Sequence, residues 1–230
     1  NHKIAEFVDT SDQWIRERTG VLRRHIAEKE TTVSMGAEAA RQAIKESGIS
    51  SDEVDLIIAA TSTPDQIFPC TACEIQKKLE LYQAAGFDLN AACSGFLFAY
   101  QTAQAYISSG IYKNILVVGS ERLSRIVDWK DRGTCILLLE KNNLKTEEID
   151  WFILHQANRR IVEAAARRLG MGIERFPMNL QEYGNTSSAS IPILLHEMNR
   201  NGKLKKGQKL VLAGFGAGLS WGASVLEWGI

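Results

Sequence analysis

Residues 87–96 have the sequence Phe-Asp-Leu-Asn-Ala-Ala-Cys-Ser-Gly-Phe, in which a cysteine follows an apolar run at a turn of small residues. The approach over 84–90 is typical of a buried strand, and the run over 94–109 is typical of a helix. A cysteine at a strand-to-helix turn lies where the positive end of the helix dipole favours the thiolate. Because the thiolate is the nucleophilic form, the pattern predicts that Cys93 attacks an electrophile.

Strand-like and helix-like segments alternate on both sides of this turn. Buried strands are predicted at 54–60, 84–90, 114–119 and 209–214, another before His155, and a last strand at 219–228. Helices are predicted at 31–48, 69–79, 94–109, 157–169 and 191–199. The pattern of residues 53–58 recurs at 148–153, and that of 113–119 recurs at 208–214. The repeat predicts an α/β fold of two duplicated halves, 1–138 and 139–230.

Composition excludes several functional classes. The chain has 230 residues, 45% of them hydrophobic, and equal numbers of basic and acidic residues, 27 each. A balanced charge gives no overall field toward nucleic acid or an anionic membrane, and no apolar run is long enough to cross a bilayer. Four cysteines are too few for a disulfide scaffold of this length, which favours free thiols and a cytoplasmic setting.

Two of these cysteines form a Cys-x-x-Cys motif, Cys70 and Cys73, at the start of a predicted helix. A zinc site would need a second ligand pair, and a thioredoxin-like site would need a different context. Neither is present, so the motif is interpreted as part of the packing.

Candidate partners for Cys93 lie in the second half. His155 is the one histidine at the carboxyl end of a predicted buried strand, where catalytic groups of α/β sheets gather. Asn185 lies in a loop before a helix, where it could donate from its side chain or act as a helix cap. Cysteine, histidine and asparagine together suggest nucleophilic catalysis but leave the reaction open.

Six motifs together resemble the β-ketoacyl-acyl-carrier-protein synthase III family, the initiating condensing enzymes of type II fatty-acid synthesis. They follow the family's order along nearly the whole chain: Asp9–Gly20, Phe87–Phe96, Asp131–Cys135, Ile153–Arg160, Tyr183–Ser188 and Gly214–Ala223. The resemblance implies a thiolase-like fold with α-β-α-β-α layers. It also implies a homodimer in the cytoplasm with acyl-CoA and malonyl-acyl-carrier protein as substrates, and no cofactor, metal, nucleic acid or membrane.

The same resemblance assigns roles to individual residues. Cys93, His155 and Asn185 match the catalytic triad, and the backbone N–H groups of Cys93 and Ala217 match the oxyanion hole. Ala217 stands where the family usually has glycine. Five residues match contacts to coenzyme A: Thr10, Trp14, Arg18, Arg132 and Asn158. Arg160 matches a contact to the carrier protein. Phe68 matches a residue that reaches into the acyl pocket of the partner subunit.

Three alternatives stay open from the residues. One is a related ketoacyl synthase or acyltransferase of secondary metabolism, and a more distant one is a Cys-His-Asn thiol hydrolase. A third is a non-enzymatic binding protein, which the intact triad argues against. Neither the papain-type signature around the cysteine nor the second cysteine expected of a degradative thiolase occurs.

The chain departs from the family pattern in length. Leu138 passes to Leu139 and Glu140 without turn residues. The family has a glycine-rich strand turn after this position. The sequence therefore predicts that segments are missing between 138 and 139 and before residue 1.

Overall fold

A computed structural model describes residues 1–127, 149–216 and 220–229. Its helices are α1 to α8 in chain order: His2–Ala5, Asp12–Thr19, Thr32–Ser47, Thr71–Lys78, Gly95–Ser108, Arg159–Arg168, Leu180–Tyr183 and Ser190–Arg200. Short 3-10 turns lie at Ser51–Glu53, Ala92–Ser94, Leu123–Arg125, Ile173–Arg175 and Ser187–Ala189. The junction of 138 and 139, where a segment is predicted to be missing, lies outside the described residues.

Six described strands form two three-stranded sheets. The first sheet has the order β2-β1-β3, from Leu56–Ala60 (β1), Ala85–Leu89 (β2) and Ile115–Gly119 (β3), and all its pairs are parallel. The second sheet has the order β4-β5-β6, from Trp151–Leu154, Lys209–Gly216 and Ser220–Glu227. There β5 runs parallel to β4 and antiparallel to β6, so the second sheet is mixed.

The side chains of β1 alternate between two helical layers. Ile57 and Ala59 pack in one cluster with residues of α3 and α4, whereas Leu56 and Ile58 pack in another with residues of α5. Successive side chains of a strand point to opposite faces, so a strand apolar on both faces is covered on both sides. The first sheet is therefore covered on its outer face by α3 and α4 and on its inner face by α5.

The second sheet has the same arrangement. Ile153 of β4 packs with residues of α5 and α8, whereas Phe152 and Leu154 pack with residues of α6. Helices α5 and α8 thus form a shared middle layer between the two sheets. This confirms the predicted α-β-α-β-α architecture of two halves.

An aspartate before the first strand of each half shows the predicted repeat at the level of hydrogen bonds. Asp55 accepts from the backbone N–H of Lys113 at 2.8 Å, just before β3. Asp150 accepts from the backbone N–H of Lys209 at 2.7 Å, at the start of β5. Each aspartate joins the equivalent pair of parallel strands, which is why the acidic turn recurs in the sequence.

One predicted helix start is wrong. Pro69 was expected at the first helical position, but α4 begins at Thr71 with Cys70 as its N-cap. The carboxylate of Asp88 in β2 accepts from the backbone N–H groups of Thr71 and Ala72, both at 2.8 Å. A tertiary partner thus satisfies the first amides of the helix and sets its start. No helix among the described residues is long and apolar enough to cross a membrane.

We expect Gly119→Ala to loosen the contact between the two halves. A Cβ at Gly119 would lie 2.8 Å from the carbonyl oxygen of Ser188, which belongs to the second half. Backbone cannot move as a side chain can, so overpacking should lower the free energy of unfolding by about 1–3 kcal/mol. Chemical denaturation measures this, with Gly229→Ala as the control because its Cβ would meet nothing within 4 Å. Equal stability of the two variants would contradict the packing described here.

Candidate active site

Cys93 lies on a tight turn between β2 and α5. The 3-10 turn Ala92–Ser94 precedes the helix, and Ala92 has a φ of 47°, in the left-handed region that side chains disfavour. The cysteine therefore lies two residues before the first residue of α5, not in its first turn. The Cys93 side chain is partly exposed, and its Sγ lies 3.6 Å from the hydroxyl oxygen of Ser187.

The environment of the Cys93 thiol opposes ionisation. Burial raises its pKa, while the hydrogen bond from the Ser187 hydroxyl lowers it; the nearby negative charge of Glu121 raises the pKa further. The sequence predicted that the helix terminus would favour the thiolate. Desolvation of the thiolate outweighs that effect, so the pKa of the thiol is raised. A base must take the proton when Cys93 attacks.

His155 immediately follows β4, as predicted, and is only 2% exposed. Its backbone N–H donates to the carbonyl of Ala213 in β5 at 2.8 Å, which holds the residue at the carboxyl edge of the sheet. Burial lowers the pKa of the imidazole to about 4, and the backbone of Ser187 has a smaller opposite effect. The ring is therefore neutral at physiological pH.

Ser190 determines which nitrogen of His155 carries the hydrogen. Its hydroxyl oxygen lies 2.6 Å from Nδ1 and also accepts from the backbone N–H of Gln156 at 3.3 Å. Because Nδ1 is the one acceptor within reach of the hydroxyl hydrogen among the described residues, we assign that hydrogen to the bond with Nδ1, which leaves Nε2 as the protonated nitrogen. Nε2 is buried and makes no hydrogen bond within the described residues. The imidazole thus offers a neutral N–H donor.

Asn185 has a defined orientation. Its Oδ1 accepts from the backbone N–H of Ser187 at 2.9 Å, two residues along the chain. With the oxygen used in this local turn, the amide NH₂ is the end that can donate to a substrate. Of the two roles that the sequence left open, the helix cap is not observed, because Thr186 is the N-cap of the turn that follows, and the role as a donor stays a prediction.

The three predicted catalytic residues come together around the turn Ser187–Ala189. The Ser187 hydroxyl contacts the sulfur of Cys93, the Ser187 backbone N–H donates to Oδ1 of Asn185, and Ser190 follows in the chain and binds His155. Gly214 of β5 closes the other side: a Cβ there would lie 3.4 Å from the Cβ of His155 and 3.6 Å from the carbonyl oxygen of Cys93. Cys93 of the first half and His155 and Asn185 of the second half thus lie around one turn.

The predicted oxyanion hole is described in part. The backbone nitrogen of Cys93 faces the end of β5, where a Cβ on Gly216 would approach it to 3.1 Å. Only glycine leaves this space next to the N–H group free. Ala217, the other predicted donor, lies outside the described residues.

A second cluster lies where α2 meets the start of α6. Asn158, the N-cap of α6, donates to the carbonyl of Arg18 at 3.2 Å, and Arg160 donates to the carbonyl of Glu17 at 3.4 Å. The Arg18 guanidinium lies 5.8 Å from the ring centroid of Trp14. The fold thus joins Trp14, Arg18, Asn158 and Arg160, which are distant in the sequence, on one surface.

The remaining predicted residues lie apart from this cluster or are not described. Thr10 has a buried hydroxyl that makes no hydrogen bond within the described residues. Phe68 is 89% exposed in the loop before α4 and contributes nothing to burial in its own chain. Arg132 lies outside the described residues.

Sequence reasoning missed three polar side chains that support the site. The sequence offered no reason to assign a role to Ser187 or Ser190. Glu121 follows β3 and accepts from Thr63 at 2.6 Å and from Ser188 of the other half at 3.0 Å. Nothing local marks these residues as functional, because the partners that matter lie 35 or more residues away. Only the serine-rich composition of 187–190 could have drawn attention to them.

The fold and the site define a class of protein, the acyl-transferring condensing enzymes with a thiolase-like fold. Family models assign residues 87–139 to 3-oxoacyl-[acyl-carrier-protein] synthase III and residues 139–228 to the C-terminal part of the same enzyme. These matches cover more than half of the chain. The chain belongs to the β-ketoacyl-acyl-carrier-protein synthase III family, as its motifs predicted.

Relatives and solved structures agree with this assignment. The chain is 39% identical to β-ketoacyl-[acyl-carrier-protein] synthase III of Clostridium acetobutylicum, with 99% of the chain and 94% of the relative covered. It is 38% identical to synthase III 1 of Bacillus anthracis, with 100% and 94% covered. The crystal structure of the Aquifex aeolicus synthase III superposes with a TM-score of 0.94 at 37% identity, with 99% and 94% covered.

Among residues 1–127, 149–216 and 220–229, no three His, Cys, Asp or Glu side chains are grouped so that they could hold a metal ion.

We expect Ser190→Ala to remove the preference of His155 for the tautomer with hydrogen on Nε2. Without the hydroxyl, Nδ1 has a buried lone pair with no donor, at a cost comparable to one hydrogen bond. Nitrogen-15 NMR of labelled histidine should then show a mixture of Nδ1–H and Nε2–H forms, and kcat should fall roughly tenfold with little change in KM.

Ser187→Ala is the matched control, since Ser187 contacts the sulfur of Cys93 through its hydroxyl. It should change the reactivity of the thiol while the imidazole keeps its tautomer. An unchanged tautomer in Ser190→Ala would refute the role assigned to Ser190.

Proposed function

We propose that this chain condenses an acyl-CoA primer with malonyl-acyl-carrier protein to give a β-ketoacyl-carrier protein, through an acyl thioester on Cys93. The observation that carries the proposal is the convergence of Cys93, neutral His155 and Asn185 about the Ser187–Ala189 turn. An initiating role in type II fatty-acid synthesis follows from the family.

In the first half-reaction, the sulfur of Cys93 attacks the thioester carbonyl and coenzyme A leaves. The raised pKa of the thiol means that its proton has to be transferred during attack, and it ends on the sulfur of coenzyme A, which leaves as a free thiol. The backbone N–H of Cys93 lies at the same turn and can donate to the oxyanion as negative charge develops.

In the second half-reaction, malonyl-carrier protein loses CO₂ and the resulting enolate attacks the acyl group on Cys93. Enolate oxygen is stabilised by neutral donors held in place before the reaction. His155 offers Nε2–H and Asn185 offers its NH₂ group. Burial keeps the imidazole uncharged, and an uncharged donor is what decarboxylation requires here. The reaction as proposed requires no metal or redox cofactor.

The cluster at α2 and α6 supports the proposed substrate contacts. The Trp14 ring with the Arg18 guanidinium beside it offers a stacking surface for the adenine of coenzyme A. Arg160 lies at the exposed start of α6, where it can meet an acidic carrier protein. Thr10, Asn158 and Arg132 are proposed to contact coenzyme A on the basis of the family resemblance.

A homodimer is part of the proposal. Phe68 and Ile67 are 89% and 93% exposed, an arrangement that suits burial against a second subunit. β2 is the edge strand of the first sheet and pairs only with β1 within the described residues. The cysteines in the described ranges are free thiols, in keeping with a cytoplasmic location.

We propose further that the native protein has an additional internal segment between 138 and 139. The alignment to the Clostridium acetobutylicum synthase extends over 304 positions, whereas the chain has 230 residues. The two family models meet at residue 139, where the sequence lacks turn residues.

Mass spectrometry tests the proposed function. Incubation with acetyl-CoA should add one acetyl group to the peptide that contains Cys93, and malonyl-carrier protein should remove it with formation of an acetoacetyl product. Acylation of another residue, or an adduct that malonyl-carrier protein cannot discharge, would contradict the proposal.

A second candidate is a priming ketosynthase of secondary metabolism. The priming β-ketosynthase of the R1128 polyketide pathway superposes with a TM-score of 0.92 at 27% identity, covering 100% of this chain and 91% of that one. Both candidates use the same Cys93 chemistry. Comparing turnover of acetyl, branched and longer acyl-CoA with fatty-acid and polyketide carrier proteins separates them.

A further inference from the structure

Two thiols outside the Cys93 site face each other at the start of α4. The Sγ atoms of Cys70 and Cys73 lie 3.4 Å apart. Cys70 is the N-cap of the helix, and both side chains are free and partly exposed. Cys73 also lies 3.7 Å from the carbonyl oxygen of Gly86. The sequence favoured a packing role for both cysteines. Cys70 is only partly buried, because it lies at the edge of the core cluster formed by α3, α4 and β1.

The spacing of the pair suits covalent closure. A disulfide requires an S–S length of about 2.05 Å, so closing this pair moves the sulfurs toward each other by roughly 1.4 Å. Two residues within a helix and three apart hold their Cβ atoms roughly 5–6 Å from each other, which is too far for a disulfide. Cys70 is not held in this way, because it is the N-cap and has extended backbone, with φ of −70° and ψ of 160°.

We propose that Cys70 and Cys73 are an oxidant-sensitive modification site that forms a reversible intramolecular disulfide. The reaction partner is hydrogen peroxide. Cys70 attacks one peroxide oxygen, the O–O bond breaks, and the sulfur keeps that oxygen as a sulfenic acid while the other oxygen leaves as hydroxide. The Cys73 thiol then attacks the Cys70 sulfur, the S–O bond breaks, and the S–S bond forms as water leaves. Two thiols are oxidised and the peroxide is reduced to two molecules of water.

The two sulfurs have different parts in this sequence. Burial raises the pKa of Cys73 to about 11, and its hydrogen bond and charge interaction with Cys70 act in the same direction. Cys73 therefore remains a thiol, which suits it to the second step. Its sulfur packs against the carbonyl of Gly86, whereas Cys70 lies at the N-cap and at the edge of the core cluster, so Cys70 is assigned as the attacking sulfur.

The position of the pair connects it to two other features. Phe68 lies two residues before Cys70 and is exposed. The first amides of α4, at Thr71 and Ala72, are held by Asp88 of β2, the strand that leads to Cys93. Closure of the disulfide would therefore fix the junction between the exposed loop and the strand, without using the catalytic sulfur.

Peptide mapping of the full chain tests the inference. Trypsin places Cys70 and Cys73 together in the peptide 46–77, and Cys93 separately in the peptide 79–113. The protein is treated with hydrogen peroxide, remaining thiols are alkylated, and both peptides are weighed. We expect at least half of peptide 46–77 to lose two hydrogens and both alkylation sites, and to regain them after treatment with dithiothreitol.

Cys70→Ser and Cys73→Ser are the variants, and Cys135→Ser is the matched control. Either single change in the pair should abolish the two-hydrogen loss, and Cys73→Ser should accumulate a sulfenic acid on Cys70. The control should behave like the parent protein. Full dialkylation after oxidation, or a disulfide that joins Cys70 to Cys93 or Cys135, would overturn the inference. Circular dichroism of each variant shows that an absent disulfide is not a consequence of unfolding.

Discussion

Cys93→Ala is expected to abolish the acyl-enzyme and to lower kcat for condensation by at least about 10⁴-fold, since the variant removes the atom that forms the covalent intermediate. Incubation with acetyl-CoA should then leave peptide 79–113 at its unmodified mass. Binding of coenzyme A should persist, because the proposed contacts at α2 and α6 do not involve the sulfur. Isothermal titration of coenzyme A measures that binding separately.

Cys73→Ser is the matched control for this variant. It also removes a partly buried thiol, but its sulfur faces Cys70 and Gly86 rather than the catalytic turn. Acetylation of Cys93 should proceed normally in the control. If Cys93→Ala still formed a labile acyl adduct and turned over, the assigned nucleophile would be wrong.

His155→Ala is expected to affect decarboxylation more than acylation. The variant removes one of two neutral donors to the enolate oxygen, a change that typically costs about 10²–10³-fold in rate. Release of CO₂ from malonyl-carrier protein should fall by this amount. Single-turnover acetylation of Cys93 should decline less, since its oxyanion can still bind to backbone N–H groups. Equal losses in both half-reactions would contradict this division.

The pKa of His155 adds a dependence on pH. With the folded value lowered to about 4 by burial, the imidazole stays neutral, and decarboxylation should not fall between pH 7 and pH 5 because of this residue. Stability behaves differently. An unfolded histidine binds its proton near pH 6.5, so the contribution of the buried neutral ring is complete above that pH and is lost progressively toward pH 4. His155→Ala should flatten this part of the stability curve, measured by urea denaturation at several pH values.

Much of the fold could be predicted from local patterns. The helix over 31–48 is an example: the structure has Thr31 as its N-cap, with the side chain accepting from Ser34, and Gly48 as its C-cap with a φ of 73°. The repeat of an acidic turn before a strand correctly indicated two equivalent halves. Both signals act within a few residues, which is why they are visible in the sequence.

The start of α4 and the properties of Cys93 could not be predicted in this way. Proline at 69 indicated a helix start, but Asp88 on a neighbouring strand moved it to Thr71. The turn at Cys93 indicated an activated thiolate, but burial raises the pKa of that thiol. In both cases the deciding group or environment comes from tertiary packing.

By itself, the sequence determined the duplicated α/β architecture, the position of Cys93 at its strand-to-helix turn and, by its motifs, the family. Tertiary structure alone decided how the site is held: Ser187 lies beside Cys93 from 94 residues away, and Ser190 lies beside His155 from 35 residues away. Strand and helix preferences arise from neighbouring residues and from the periodic burial of side chains. Hydrogen-bond partners and desolvation depend on distances that exist only after the two halves have packed together.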